Sequence, residues 1–168
     1  MSNTRQKLLA GLLLLVGLAF LAFQFIRSSR NQSNQTGNLP IRNNNPFALF
    51  QKFPSNWVGL IGNDNGFLKF DTVVNGVRAG FINLYRRYLA QGLDTISVIA
   101  PVYTGLADAS GYASGLSKIS GIGLNDKITE SNVLRLARGI ERMEEGRQWV
   151  TEVDFQRGFE LAKTYLEK

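Results

Sequence analysis

The hydrophobic pattern divides the chain into two parts that follow different rules. Residues 8–26 form one apolar run in which Gln24 is the only polar side chain, whereas apolar residues recur at short intervals from residue 46 onward. As a helix, the run would be about 28 Å long, close to the hydrocarbon thickness of a bilayer. The pattern predicts a single transmembrane helix at 8–26 and one folded domain at 46–168, which is large enough to bury its own core.

Two other interpretations of the apolar run stay open, a cleaved signal peptide and a helix buried in a soluble core. An uncleaved anchor is preferred because the run is long and is followed by FQFIRSSR, without the small residues of a cleavage site. Residues 1–7 form a short basic N-terminus. Basic residues lie on both sides of the run, so its orientation in the membrane stays open.

The segment between the anchor and the domain, residues 27–45, is rich in Asn, Gln and Ser. It has little to bury and is predicted to be a flexible tether, with an end-to-end distance of roughly 25 Å. Residues 1–45 carry five basic and no acidic residues, whereas 46–168 carry fourteen basic and thirteen acidic. The basic excess therefore flanks the predicted anchor, which favours lipid head groups as a partner and gives no reason to expect nucleic acid.

Within the domain the pattern is mainly helical, with one small β-hairpin near its start. Apolar runs at 57–61 and 67–70 flank a turn that contains Asn and Gly, which is typical of a hairpin. Five helices are predicted: from Asp71 or Thr72 to Gln91–Gly92; from Asp94 or Thr95 until Pro101 stops it; around Ala109 to Ile119; from Thr129 to Gly146; and from Thr151 onward, with Val153, Phe155, Phe159, Ala162 and Leu166 buried. The expected fold class is mainly α with one hairpin.

The composition excludes several kinds of chemistry. The chain contains no Cys and no His. Disulfides, thiol nucleophiles, Ser-His-Asp triads and ordinary zinc sites are therefore excluded. Any catalysis has to use carboxylates, hydroxyls, Lys or Arg, and no cofactor or metal is expected.

A series of short motifs resembles a domain found in many phage virion proteins. The motifs are NNNP at 43–46, a Trp-Val-Gly at 57–59, GFLKFDTVVNGVRAG at 66–80, LYRRYLAQGLDTI at 84–96 and IAP at 99–101. The resemblance extends from about residue 43 to 146, and its specific part is the FDT..NGVRAG block with GLDTI. That family is similar to lysozyme-like and N-acetylglucosaminidase-like peptidoglycan hydrolases. The resemblance implies a lysozyme-like domain.

Two departures from the family pattern bear on function. The family's WAP is IAP here and continues as APVYTGLADASGY, in which Tyr112 is the match to a family Tyr. The family's HENG, near the end of a helix, reads Met143-Glu144-Glu145-Gly146, so the carboxylate is kept while the His and the Asn are not.

The resemblance implies that Glu144 is the catalytic acid. Lysozyme-like enzymes protonate the glycosidic oxygen with a carboxylic acid held at a helix end beside a cleft. In lytic transglycosylases one Glu is sufficient, because a hydroxyl of the sugar itself attacks. A hydrolase would need a second carboxylate, for which Asp64 and Asp71 are the candidates, and Trp57 and Tyr112 are candidate substrate-binding residues. Without the resemblance, Glu144 would be interpreted as solvated surface and Trp57 as hairpin packing.

Three functions follow from these observations. The first is a membrane-anchored virion protein that cleaves the glycan strands of peptidoglycan during genome delivery. It would lie in the internal membrane of an icosahedral phage, and in the host membrane during assembly. The second is a non-enzymatic virion membrane protein whose lysozyme-like domain connects structures or binds the wall. The third is an anchored wall hydrolase of the host. The expected partners are a lipid bilayer, peptidoglycan and the capsid or other virion membrane proteins.

Overall fold

The computed structural model describes residues 38–50 and 56–167. The predicted transmembrane helix at 8–26 lies outside these residues, as do the basic N-terminus at 1–7 and the tether as far as residue 37. Among the helices that the structure describes, none combines the length and the apolar character needed to cross a bilayer.

The described residues are mainly helical and include one two-stranded antiparallel sheet, so the predicted mainly α class with a small hairpin is confirmed. The elements in chain order are α1 (Leu39–Arg42), β1 (Leu60–Asp64), β2 (Phe67–Phe70), α2 (Val73–Asn83), α3 (Ile96–Thr104), α4 (Ser110–Ser120), α5 (Val133–Glu145) and α6 (Glu152–Leu166). A π-helical turn (Leu84–Tyr88) and a 3-10 turn (Leu89–Gln91) extend α2, and Gly92 ends this extension as predicted.

The hairpin closes through Asn65 and Gly66, which adopt φ angles of 52° and 86°. These angles fit a type I′ turn, which needs positive φ at both positions, and Asn and Gly adopt it at the lowest cost. The predicted hairpin is therefore confirmed. Strand β1 begins later than the predicted apolar run, so Trp57 precedes the sheet.

The core lies where α2 packs against α6. Phe81 of α2 contacts Phe155 and Phe159 of α6, with ring centres 5.5 and 4.7 Å apart. Phe47, from the segment after α1, meets Phe81 edge-on at 5.5 Å. Aromatic pairs in these geometries add to the stabilisation that comes from burying their area.

Two glycines let the segment after α1 lie directly against α2. A Cβ on Gly76 would lie 1.7 Å from the carbonyl oxygen of Asn44, and one on Gly80 would lie 2.1 Å from the ring of Phe47. Only a residue without a side chain permits this approach. The contact matters for the candidate site, because it places the backbone carbonyl of Phe47.

Replacing Gly76 with Ala is expected to lower the free energy of unfolding by roughly 1–3 kcal/mol, because the clashing atom is a backbone oxygen that cannot rotate away. The matched control is Gly111→Ala in α4, where an added Cβ has no heavy atom within 4 Å. That change should raise the free energy of unfolding by about 0.5–1 kcal/mol, since Ala favours helix over Gly. Chemical denaturation measures both, and equal effects at the two positions would contradict the close approach.

Residues 38–45, which the composition assigns to the tether, are folded. Residues 39–42 form α1, and Asn43 and Asn45 are completely buried. The amide of Asn45 donates to the carbonyls of Leu49 and Leu68 at 3.0 and 2.9 Å and accepts from the Leu49 N–H at 2.9 Å. The side-chain amide of an Asn can pair with backbone N–H and C=O groups in the way that the backbone of a neighbouring strand does. Polar residues of this segment are therefore buried, and the folded part begins before the predicted boundary at residue 46.

Helix α3 continues through Pro101, where the sequence predicted its end. Proline removes one helical hydrogen bond and crowds the preceding turn, at a cost of about 3 kcal/mol. Burial outweighs this cost, because Ile99 and Ala100 are completely inaccessible to solvent. The helix ends at Gly105, which has φ of 70°.

Helices α5 and α6 each depart from the prediction in one place. Helix α5 begins at Val133 rather than Thr129, because residues 129–132 form a turn in which the Thr129 N–H donates to the side chain of Asn132 at 2.8 Å.

In α6, Thr151 caps the helix by accepting from the Asp154 N–H at 3.1 Å. Val153, predicted to be buried, is 77% exposed, because it lies two residues, about 200° around the helix, from the buried Phe155.

Candidate active site

Glu144 is the penultimate residue of α5 and is partly buried. The predicted end of this helix at Gly146 is confirmed, since Gly146 adopts a left-handed conformation with φ of 74°. The apolar face of the helix packs in the core, and Glu144 lies on this same face, four residues after Ile140. Four of its apolar side chains are completely buried: Val133, Leu136, Ala137 and Ile140. Glu144 is thus presented at the end of a rigid element.

The hydroxyl of Tyr112 donates a hydrogen bond to Oε1 of Glu144 at 3.1 Å. Tyr112 lies in the first turn of α4, which is 32 residues away in the sequence. The structure therefore brings together two of the five residues that the sequence proposed as a site. This bond restrains the position of the Glu144 carboxyl group.

Two further tyrosine rings extend the series of contacts from Tyr112 in the direction away from Glu144. The ring of Tyr103 stacks on Tyr112 with centres 5.8 Å apart and planes 27° apart, and the ring of Tyr88 lies 6.1 Å from that of Tyr103. The hydroxyl of Tyr103 donates to the carbonyl of Phe47 at 2.6 Å. We call Tyr88, Tyr103 and Tyr112 the tyrosine row.

The tyrosine row connects Glu144 to the packing of the core. Gly80 admits the ring of Phe47, the Phe47 carbonyl holds Tyr103, and Tyr103 supports Tyr112 beside Glu144. The sequence analysis missed Tyr103, because it expected α3 to end at Pro101. Tyr88, at the far end of the row, is buried.

Burial raises the pKa of Tyr103 and of Tyr112 well above the ordinary value for tyrosine, and the charge of Glu144 raises both pKa values further. Ionising either hydroxyl would place a negative charge in a poorly solvated position beside a carboxylate. Both hydroxyls therefore keep their protons around neutral pH, and Tyr112 remains a hydrogen-bond donor to Glu144.

These raised pKa values predict a loss of stability at alkaline pH. The folded state holds the two protons more tightly than the unfolded state, so the stabilisation is complete below pH about 10 and falls as the pH rises further. The free energy of unfolding should decline less steeply above pH 10 in Tyr103→Phe/Tyr112→Phe than in the wild type. The control is Tyr165→Phe, which alters a 38% exposed ring. Identical slopes in the double variant and the wild type would contradict the prediction.

Trp57 packs against the core from its position before β1. It is partly buried, and its indole N–H is enclosed without a hydrogen-bond partner among the described residues. A sugar-binding platform would instead present a ring face to solvent. The placement favours hairpin packing for Trp57 over contact with a substrate.

Asp64 and Asp71 are each held by neighbours near the hairpin. Oδ2 of Asp64 accepts from Nε and Nη2 of Arg42 at 2.8 and 2.5 Å. Oδ1 of Asp71 accepts from the amide of Asn75 at 2.8 Å, and this hydrogen bond lowers the pKa of Asp71. No described hydrogen bond links either carboxylate to Glu144. Asp64 fastens α1 to the hairpin, and Asp71 lies at the start of α2.

Glu141, which the sequence analysis did not single out, is the completely buried carboxylate of α5. Its Oε1 accepts from the backbone N–H groups of Trp149 and Val150 at 2.7 and 2.8 Å. Its Oε2 pairs with Nη1 of Arg138 at 2.9 Å. Glu141 ties the loop after α5 to the helix and so supports the end that carries Glu144. The sequence does contain a signal for the burial of Glu141, since this residue follows Ile140 directly and lies within the apolar face of the helix.

A cavity of about 400 Å³ lies elsewhere, between α4, α5 and the start of α6. Arg138 and Phe155 line it, whereas Glu144 and Tyr112 do not. Arg138 is already paired with two carboxylates, those of Glu141 and Glu152, and Glu152 also lines the cavity. This cavity is therefore separate from the arrangement around Glu144.

The described part of the chain contains no group of three or more Asp and Glu residues that could hold a metal ion. In comparisons with known proteins, the sequence matches no protein-family model and no curated protein.

Proposed function

We propose that this protein cleaves the glycan strands of peptidoglycan, with a lysozyme-like domain in which Glu144 is the catalytic acid. The observation that carries this proposal is the hydrogen bond from Tyr112 to Glu144 at the end of α5. A general acid must be held within hydrogen-bonding distance of the oxygen that it protonates. The restraint of Glu144 by Tyr112 and its partial burial support this role.

Placement of the other carboxylates supports a lytic transglycosylase rather than a two-carboxylate hydrolase. Asp64 is engaged by Arg42, and Asp71 by Asn75. In a transglycosylase, Glu144 gives its proton to the glycosidic oxygen as the bond to the anomeric carbon breaks. The resulting carboxylate then takes the proton of a hydroxyl on the same sugar while that oxygen bonds to the anomeric carbon. One carboxylate serves as acid and then as base, and the product is an anhydro sugar.

The setting of the proposed activity comes from the sequence. The motifs between residues 43 and 146 support a phage virion protein, and the apolar run at 8–26 supports a membrane anchor. We place the protein in a virion's internal membrane, with its domain acting on the wall during genome delivery. Peptidoglycan and the lipid bilayer are then its partners, together with the capsid or other virion membrane proteins.

The test is digestion of purified peptidoglycan by the full chain in a non-ionic detergent, with the soluble products separated by chromatography and weighed by mass spectrometry. Release of muropeptides with anhydro ends is the expected result. Reducing ends would instead indicate a hydrolase with a second carboxylate. If the folded protein releases nothing from walls of several chemistries, the enzymatic proposal is overturned. Binding to those walls without release would assign the domain a connecting or wall-binding role.

A further inference from the structure

Two arginines converge on one exposed aromatic ring where the extension of α2 meets α6. Arg78 and Arg86 are eight residues apart, which corresponds to about 12 Å along a helix. Their guanidinium carbons nevertheless lie only 5.0 and 4.7 Å from the ring centre of Tyr165. We call Arg78, Arg86 and Tyr165 the arginine clamp.

The polar groups of the arginine clamp have no partner among the described residues. Neither guanidinium forms an ion pair or a hydrogen bond there, and the Tyr165 hydroxyl forms no hydrogen bond there. Arg138, by contrast, pairs with two carboxylates. The clamp is solvent-accessible, since Arg86 is exposed and Tyr165 is 38% exposed. Its donors are therefore free to bind a ligand.

The ring of Tyr165 gives the two charges a defined position. Contact with the same ring brings the two guanidinium carbons within about 10 Å of each other and holds them by cation–π attraction. Each guanidinium offers a planar fork that fits two oxygens of one phosphate. The phenol of Tyr165 adds one more O–H donor beside them. The two guanidinium groups offer only donors and positive charge, which favours an oxyanion as ligand.

We propose that the arginine clamp binds the phosphate of an anionic phospholipid head group. The predicted anchor at 8–26 brings the chain to a membrane, and its flanks are basic. The domain at 46–168 is nearly neutral, with fourteen basic and thirteen acidic residues, so its net charge by itself attracts phosphate only weakly. Arg and Tyr are also the side chains that combine an apolar body with a polar tip at a membrane interface. The binding does not depend on cleavage by Glu144.

The experiment titrates the isotopically labelled full chain, in non-ionic detergent, with dihexanoyl phosphatidylglycerol and follows the NMR signals of residues 78–86 and 163–167. Saturable shifts are expected at these positions. Two other ligands should each bind at least about tenfold more weakly than phosphatidylglycerol. They are dihexanoyl phosphatidylcholine, whose head group carries a compensating cation, and inorganic phosphate. High salt should weaken the binding of phosphatidylglycerol, because the clamp is exposed to solvent.

The deciding variant is Arg78→Gln/Arg86→Gln, for which we expect the affinity for phosphatidylglycerol to fall about tenfold or more. The matched control is Arg147→Gln/Arg157→Gln, which removes the same charge from two exposed arginines and should change the affinity less than about twofold. An equal loss in the control would overturn the proposal, because it would show a general charge effect. Inorganic phosphate binding as tightly as the lipid would overturn the lipid assignment. If the double variant does not fold, Arg86→Gln alone, at an exposed position, gives the same test.

Discussion

Replacing Glu144 with Gln should reduce the release of muropeptides by about 100- to 10,000-fold, the usual contribution of a general acid. The substitution keeps the size of the side chain, and the amide oxygen can still accept the hydrogen bond from Tyr112. What it removes is the acidic proton that the leaving oxygen has to receive. Product release per unit time, measured at saturating peptidoglycan, is the readout, with circular dichroism to show that the fold is kept.

Two further variants make the result of Glu144→Gln interpretable. Glu160→Gln alters an exposed carboxylate of α6 and should release muropeptides at the wild-type rate. Tyr112→Phe keeps the ring that stacks on Tyr103 but removes the donor to Glu144, so it should cause an intermediate loss, about tenfold or more. If Glu144→Gln stays as active as the wild type, Glu144 is not the acid, and the proposed mechanism is wrong.

Replacing Glu141 with Ala should lower the free energy of unfolding by about 3–5 kcal/mol, the usual cost of removing one partner of a buried ion pair. Glu141 is completely buried and accepts from Trp149, Val150 and Arg138. Its loss leaves two backbone N–H groups and a nearly buried guanidinium without this acceptor. A shift of the urea midpoint without a change in slope would measure the effect.

The matched control is Glu152→Ala, because Glu152 binds the same Arg138 at 2.6 Å but its side chain is 79% exposed. Water replaces an exposed partner at little cost, so we expect a loss of less than about 1 kcal/mol. Equal losses at the two positions would contradict the role of burial. Below its unfolding transition, Glu141→Ala should keep most of the activity of the wild type, since Glu141 supports the helix and does not contact the substrate.

The elements that sequence reasoning predicted correctly depend on neighbours in the chain. Asn65 and Gly66 turn the hairpin because of their own backbone preferences. Gly92 and Gly146 end helices for the same reason. Thr151 caps α6 through an N–H only three residues ahead. Each of these features can be read within a window of a few residues.

The features that the sequence missed depend on contacts between distant segments. Pro101 lies inside α3 because burial of its neighbours outweighs the lost hydrogen bond, and this places Tyr103 against Phe47. Asn45 belongs to the core because its amide pairs with the backbone of Leu68. No local pattern reveals such a partner, and composition alone pointed to a tether.

By itself, the sequence determined the mainly helical class, the hairpin, most helix ends and the choice of Glu144 and Tyr112 as residues of interest. Tertiary structure alone decided that the Tyr112 hydroxyl reaches Glu144, that the row from Tyr88 to Tyr112 packs behind this contact, and that Glu141, on the same helix as Glu144, is completely buried. The physical reason is the distance along the chain over which each kind of interaction acts. Backbone preferences act between neighbours, whereas a hydrogen bond between residues 112 and 144 exists only after two helices have packed on one core.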